Sequence, residues 1–193
     1  MSAEQGGMRL FVAVHLPQEI RDGLAAVQER LRRLQADVSW VKPANLHITL
    51  KFLGETEPKR LGRIGPVLAE VARGMAPFSL TVAGVGTFGG RIPRVVWAGV
   101  REGAAPLEAL AGAVENGLAR AGFPKERRQF TAHFTLGRVR SPRNAEVLLA
   151  AIRDESTEPL GVVSVEQFVL MQSRLDPGGS IYTALERFPL EVA

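Results

Sequence analysis

The chain has 193 residues, 46% of them hydrophobic and 23% charged, and a formal net charge of +4, as expected for a globular protein with one large or two closely packed small domains. It contains no cysteine, which excludes disulfides, thiolate catalysis and cysteine-based zinc sites and is compatible with a cytoplasmic location. No apolar run approaches the roughly 20 residues that a membrane-spanning helix requires, so we expect no membrane association.

The hydrophobic periodicity predicts alternating helices and strands along the chain. Residues 1–8 are polar and contain glycine, and we expect them to form a disordered tail. Apolar residues at every second position indicate strands, and those at every third or fourth position indicate helices. The predicted strands are Arg9–Leu16, Val38–Val41, Leu46–Leu53, Phe78–Phe88, Val95–Val100, Thr131–Arg138, Gly161–Gln172 and Ser180–Phe188. The predicted helices are Pro17–Leu34, Lys59–Arg73, Pro106–Ala121 and Asn144–Arg153.

This order of elements predicts an α+β fold. We expect two antiparallel or mixed sheets with helices outside them and a cleft between them. No low-complexity linker divides the chain, so residues 1–193 are expected to form one compact unit.

The most informative pattern is His-x-Thr-Leu, which occurs at residues 47–50 and again at residues 133–136. The two copies hold two of the chain's three histidines and are separated by a little under half the chain. Side chains of a strand alternate between its two faces. Each copy is therefore expected to present His and Thr to one face and apolar residues, Phe52 among them, to the opposite face.

The residue types in this pattern suit phosphodiester chemistry without a metal. Two imidazoles, His47 and His133, can act as a general acid and a general base near neutral pH. The hydroxyl groups of Thr49 and Thr135 add hydrogen-bond donors for an anion. One His-x-Thr in a strand is commonplace, but two copies in matching apolar frames favour a catalytic pair. His15 has no such Thr partner, and we interpret it as a strand-end residue without a catalytic role.

A second pattern, Gly-x-Gly-x-x-Gly at residues 84–89, matches the dinucleotide-binding fingerprint. That fingerprint must follow a strand and begin a helix. Here it leads into another predicted strand, Val95–Val100, so we expect a flexible turn and not a nucleotide site.

The segments around both His-x-Thr motifs resemble the two-histidine (2H) phosphoesterase superfamily and, within it, the bacterial RNA 2',3'-cyclic phosphodiesterases, also called 2'-5' RNA ligases. The resemblance runs nearly from end to end. It is carried by residues 9–13, 40–43, 45–55, 96–100, 133–138 and 170–173 and by Tyr182. It implies one bilobal domain, a pseudo-two-fold pair of sheets with both motif strands lining a central cleft.

The same resemblance implies an activity. The expected reaction is hydrolysis of the 2',3'-cyclic phosphate at RNA ends to a 2'-phosphate, with reversible 2'-5' joining on suitable ends and no metal or nucleotide cofactor. It also implies that His47 and His133 are catalytic, with His133 as base and His47 as acid. Thr49, Thr135 and Arg138 would hold the phosphate.

Arg138 poses a geometric question, because in a regular strand it would share the core-facing side with the apolar residues of its motif. We expect a bulge or strand end at Gly137 to turn it toward the cleft. Lys51 lies on the cleft side by the same alternation and is interpreted as a solvated residue at a strand end. Trp40 and Trp97 are interpreted as core or cleft-wall residues.

Two aromatic residues, Phe11 and Tyr182, are candidates for stacking on a nucleobase. Core packing is the alternative for Phe11. The expected partner is an RNA or oligonucleotide with a 2',3'-cyclic phosphate end, bound by a cytoplasmic monomer.

Three other functions remain open at this point. One is a non-catalytic RNA-binding module, which would not need an acid–base pair. Another is a phosphodiesterase of small cyclic nucleotides or ADP-ribose cyclic phosphate, whose cleft chemistry would be identical. The third is a metallohydrolase that would use the histidines as metal ligands, but the sequence offers no Asp or Glu at the spacing of further ligands.

Overall fold

The computed structural model describes residues 7–90, 92–155, 158–177 and 179–191. Within these ranges the chain forms nine strands and five α-helices. The strands are β1 (Met8–His15), β2 (Val38–Trp40), β3 (His47–Thr56), β4 (Phe78–Phe88), β5 (Val95–Glu102), β6 (His133–Val139), β7 (Pro159–Val165), β8 (Gln167–Asp176) and β9 (Gly179–Pro189). The helices are α1 (Gln18–Arg32), α2 (Pro58–Leu61), α3 (Ile64–Arg73), α4 (Ala104–Arg120) and α5 (Ala145–Asp154).

The strands form two sheets. The first sheet has the order β3-β1-β8-β9 and the second the order β2-β6-β5-β4-β7. Every strand pairing is antiparallel, so of the two predicted arrangements the antiparallel one is correct. The α+β prediction is confirmed, and each sheet contains one of the two His-x-Thr strands, β3 or β6.

A single hydrophobic core joins the two sheets. It contains residues of both motif strands, such as Ile48 and Phe134, packed in one continuous cluster. Helices α3 and α4 contact the first sheet through β9 and β3, and α1 and α5 contact the second sheet through β7 and β4. The strands β3 and β6 also contact each other. Both motif strands therefore lie where the sheets meet.

Three predicted boundaries are wrong. The single strand predicted over Gly161–Gln172 is two strands, β7 and β8, which belong to different sheets. The helix predicted over Lys59–Arg73 is interrupted after α2, where Gly62 lowers helix propensity. Of the predicted tail, residues 1–6 lie outside the described residues, whereas Met8 already begins β1. No helix in the described part of the chain is long and apolar enough to cross a membrane.

Candidate active site

Both His-x-Thr strands carry a β-bulge directly after the motif. In β3 the pairing with β1 shifts by one residue at Leu50, and in β6 the pairing with β5 shifts by one residue at Leu136. Up to the bulge, both histidines and both threonines lie on the face opposite the core, as the alternation predicts. Each bulge adds one residue, so the alternation reverses beyond it.

The reversal decides which side chains face the cleft after each motif. In β6, Gly137 is buried and Arg138 is exposed, which is the bulge expected from the glycine. The charge of Arg138 lowers the pKa of His133. In β3 the same pattern corrects two expectations. Lys51 is buried on the core side, and Phe52, predicted to face the core, is 56% exposed.

Lys51 is not a solvated strand-end residue, because its ammonium group is enclosed by helix α4 and the loop that follows it. Its Nζ lies 2.7 Å from Oε2 of Glu115 and donates a hydrogen bond to the carbonyl of Pro124 at 2.8 Å. The other carboxylate oxygen of Glu115 accepts the backbone N–H of Glu126 at 3.0 Å. A buried cation is thereby paired with a carboxylate and a carbonyl, and the segment after α4 is tied to β3.

His47 is held in one tautomer by the residue two positions before it. Its Nδ1 lies 2.7 Å from the carbonyl oxygen of Asn45, which can only accept, so Nδ1 carries the hydrogen. Its Nε2 lies 3.0 Å from Oγ1 of Thr49 and accepts that hydroxyl hydrogen when the ring is neutral. The amide of Asn45 donates to the carbonyl of Ser180 at 2.9 Å, which fixes the turn before β3. Nε2 is therefore the atom left for chemistry.

His133 repeats this arrangement. Its Nδ1 donates to the carbonyl oxygen of Thr131 at 2.7 Å. Its ring meets the ring of Phe88 edge to face, with the centroids 5.0 Å apart. The Nδ1 hydrogen is again bound to a carbonyl, so Nε2 is again the nitrogen available for proton transfer.

Burial keeps both histidines neutral at pH 7. Desolvation is the main cause that lowers the pKa of His47 to about 4; the hydrogen bond to the Asn45 carbonyl opposes this shift, and the charge of His15 adds to it. Desolvation also lowers the pKa of His133, with a smaller lowering from Arg138 and an opposing effect of the carbonyl of Thr131. A protonated histidine in this cleft therefore needs a nearby negative charge.

His15 is closer to the site than the sequence indicated, because it is the direct cross-strand partner of His47. Its Nε2 lies 3.3 Å from the sulfur of Met171. Burial lowers the pKa of His15, and the charges of Arg187 and Arg21 lower it further. His15 is thus mostly neutral at pH 7 and lies beside His47.

The nucleobase-stacking prediction for Phe11 is wrong, because Phe11 is only 3% exposed. Its ring packs 4.9 Å from the ring of His47 and 5.0 Å from that of Tyr182. These rings and the neighbouring apolar side chains form a small cluster on the cleft face of the first sheet. Stacking by Tyr182, which is half-buried, stays a prediction. Phe52, the cross-strand partner of Phe11, is the exposed aromatic side chain here.

The two tryptophans lie where the sequence placed them. Trp40 packs against the main core, and Trp97 is the cross-strand partner of Thr135 on the cleft wall. The first glycines of the dinucleotide-like pattern lie within β4 and not in a turn. A Cβ at Gly86 would lie 2.3 Å from the indole of Trp97, so glycine is needed there for packing. Among the described residues, no cluster of histidines and carboxylates could hold a metal ion.

The sequence profile described as LigT like Phosphoesterase matches this chain twice in succession, at residues 14–97 and 99–182. The first match contains β3 and the second contains β6. The two halves of the chain are therefore versions of one sequence unit, each with its own His-x-Thr strand.

Individual relatives match over nearly their whole length. The RNA 2',3'-cyclic phosphodiesterase of Archaeoglobus fulgidus is 42% identical over 182 residues, covering 94% of this chain and 99% of that protein. The protein of the same name from Methanothermobacter thermautotrophicus is 37% identical over 184 residues, covering 95% and 99%. The crystal structure of E. coli LigT complexed with 3'-AMP has a TM-score of 0.77 and 30% identity, covering 95% of this chain and 98% of that one.

Proposed function

The chain belongs to the LigT-like family of two-histidine phosphoesterases, and we propose that it hydrolyses 2',3'-cyclic phosphate ends of RNA to 2'-phosphates. The observation that carries this proposal is the matched pair of histidines. His47 and His133 each commit Nδ1 to a backbone carbonyl and leave Nε2 for proton transfer. Binding alone needs no such pair, so the arrangement supports an enzyme over a binding module.

Phosphate binding falls to Thr49, Thr135 and Arg138 in this proposal. Both hydroxyls lie on the same strand face as the neighbouring histidine, and the bulge in β6 brings the guanidinium to that face. A cyclic phosphate is a monoanion whose two free oxygens accept such donors. Charge-assisted contacts are roughly twice as strong as neutral ones, so Arg138 should contribute most to affinity.

The proton transfers balance between the two imidazoles. His133 takes a proton from water, whose oxygen attacks phosphorus opposite the departing ribose oxygen. His47 gives its proton to that oxygen as the P–O bond breaks. The product then carries one new P–O bond and one new ribose hydroxyl, and a later proton exchange with solvent restores the enzyme.

The electrostatics of the site support these roles. Arg138 favours the neutral form of His133, which a base requires. His47 must be protonated to act as acid although burial lowers its pKa to about 4. The substrate's negative charge raises that pKa, and the Asn45 carbonyl stabilises the imidazolium through Nδ1.

Incubation of the purified protein with 2',3'-cyclic AMP and with an oligonucleotide ending in a cyclic phosphate, both in excess EDTA, tests the proposal. We expect hydrolysis of both substrates without added metal. Loss of activity in EDTA that a divalent ion restores would contradict the two-imidazole mechanism. Hydrolysis of the mononucleotide alone would contradict the RNA substrate. Adding a second oligonucleotide with a free 5'-hydroxyl measures any 2'-5' joining, in which the 5' oxygen attacks phosphorus in place of water, the 3' P–O bond breaks and the departing 3' oxygen takes a proton. A monomeric state and a cytoplasmic location are part of the proposal, and the absence of cysteine is compatible with that location.

A further inference from the structure

Helix α1 carries a polar residue on its buried face. Gln28 is 2% exposed and stands between the buried side chains of Leu24, Val27 and Leu31. A buried amide is costly unless it finds hydrogen-bond partners. The Nε2 of Gln28 donates to the carbonyl oxygens of Val41 and Leu136, each at 2.8 Å.

Leu136 is the inserted residue of the bulge in β6. Its carbonyl accepts a second hydrogen bond, from the backbone N–H of Val41 at 2.9 Å. Gln28 therefore bridges the segment after β2 and the bulge and fixes the peptide at which the strand alternation reverses.

The next residue leaves little freedom to the bulged strand. A Cβ at Gly137 would lie 2.5 Å from the side chain of Val38 and 3.0 Å from that of Trp40. The backbone of Gly137 is thus packed against β2 and the preceding carbonyl is held by Gln28. Together these contacts hold the bulge beyond which Arg138 is exposed on the strand face of His133 and Thr135.

We propose that Gln28 is a positioning residue for Arg138, which it holds toward the phosphate by fixing the Leu136 carbonyl. Gln28 touches neither substrate nor Arg138, and its effect on binding passes through the bulge. The inference rests on the phosphate-binding role of Arg138 in the proposed function, and its test needs no turnover.

The bulge in β3 supplies a matched control. A different interaction, the ion pair between Lys51 and Glu115, holds this bulge from the core side of the strand. Lys51→Met also removes a buried polar anchor of a bulge, but this bulge precedes Phe52 and not Arg138.

The experiment is a double-mutant cycle on inorganic phosphate binding, measured by calorimetry. The variants are Gln28→Met, Arg138→Ala, their combination, and Lys51→Met with and without Arg138→Ala. We expect Arg138→Ala to weaken phosphate binding about tenfold or more and Gln28→Met to weaken it roughly fivefold. The combined variant should be no weaker than Arg138→Ala alone, because Gln28 acts only through that guanidinium. Lys51→Met should combine with Arg138→Ala additively.

Near-UV circular dichroism establishes that each variant is folded, and Gln28→Leu, which continues the apolar face of α1, replaces Gln28→Met if that variant does not fold. Additive losses for Gln28→Met and Arg138→Ala would overturn the proposal, and so would unchanged phosphate binding in Gln28→Met or in Arg138→Ala. An equal departure from additivity between Lys51→Met and Arg138→Ala would overturn the proposal too, since it would indicate a general loss of rigidity around the phosphate site. Absence of turnover in the wild-type protein would contradict the proposed function and leave the binding cycle intact.

Discussion

At the scale of single residues, each cleft histidine donates its Nδ1 hydrogen to a carbonyl two positions upstream, His47 to Asn45 and His133 to Thr131. This contact fixes the tautomer and the ring orientation, and it stabilises the imidazolium when Nε2 is protonated. The third histidine, His15, faces a methionine sulfur instead. The contact between Nδ1 and a carbonyl is therefore shared by the two histidines of the proposed catalytic pair, whereas His15 makes a different contact.

Replacing either cleft histidine by alanine should remove one proton-transfer group. We expect His47→Ala and His133→Ala each to lower kcat by about 10²–10⁴-fold, and His15→Ala to leave kcat near the wild-type value. Initial rates on 2',3'-cyclic AMP measure this. A substrate with an activated leaving group separates the roles, since it should rescue His47→Ala but not His133→Ala. Rescue of His133→Ala would exchange acid and base.

The pH dependence follows from the lowered pKa values. Activity needs His47 protonated and His133 neutral. The singly protonated free enzyme, which includes this form, is most abundant between the two pKa values, one about 4 and the other below 6.5. The profile of kcat/KM should therefore peak below about pH 6.5 and fall tenfold per pH unit above the upper pKa. Bound substrate raises both pKa values, so kcat should persist to higher pH.

Two controls accompany this profile. Arg138→Ala removes a charge that lowers the pKa of His133, so its alkaline limb should shift to higher pH. The fold itself must be monitored, because His47 has a lower pKa when folded than when unfolded. Its contribution to stability is present above pH 6.5 and is lost as the pH falls toward about 4. A flat kcat/KM profile from about pH 5 to 9 would contradict the pair mechanism.

At the scale of elements, the Lys51–Glu115 pair ties β3 to α4 and to the loop that leads toward β6. The two ends of the pair differ in burial, because the side chain of Lys51 is fully buried and that of Glu115 is 22% exposed. Removing one partner should therefore cost different amounts depending on which one is removed.

Glu115→Gln removes the negative charge beside a buried ammonium and leaves one oxygen for two donors, Nζ of Lys51 and the N–H of Glu126. This change should cost about 3–5 kcal/mol of unfolding free energy. Lys51→Met fills the same space and leaves a carboxylate that water reaches, which should cost about 1 kcal/mol. Urea unfolding at neutral pH measures both. An equal or reversed order would show that burial of Lys51 does not determine the energetics of the pair.

Alternation along the sequence predicts correctly which residues of β3 and β6 face the core up to each bulge. Beyond the bulge in β3 that prediction is wrong. The exposure of Arg138 beyond the bulge was predictable because Gly137 marks an irregular strand. In β3 the equivalent position is Lys51, which gives no such signal, so Lys51 and Phe52 were assigned to opposite faces from those they occupy. The repeat itself carries the signal, since two matching motifs predict two matching bulges.

Other features depend on tertiary context. The division between β7 and β8 falls inside a continuous apolar stretch, and periodicity alone does not show where a chain passes from one sheet to the next. Gln28 offered a detectable signal, a polar residue in line with Leu24 and Leu31 on an apolar helix face. The sequence did not show which carbonyls it would meet, because they lie on β6 and after β2.

At the scale of the whole molecule, the two halves of the chain are repeats whose motif strands share the same order of buried and exposed residues. The first position exposed beyond each bulge breaks the symmetry, since it is Phe52 in β3 and Arg138 in β6. One side of the cleft thus offers an aromatic surface beside His47, and the other a guanidinium beside His133. A nucleoside should lie toward Phe52 and Tyr182, with its phosphate toward Arg138.

This asymmetry bears on which bond breaks. In-line opening requires water to enter opposite the departing oxygen, so the histidine beside that oxygen is the acid. With the nucleoside on the Phe52 side and His47 beside the 3' oxygen, the 3' P–O bond breaks and a 2'-phosphate forms. We therefore expect 2'-AMP from 2',3'-cyclic AMP, identified by chromatography against authentic 2'- and 3'-AMP. Alkaline hydrolysis, which gives both isomers, is the control. A predominant 3' product would mean that the nucleoside lies the other way round and that His47 and His133 exchange roles relative to the ribose.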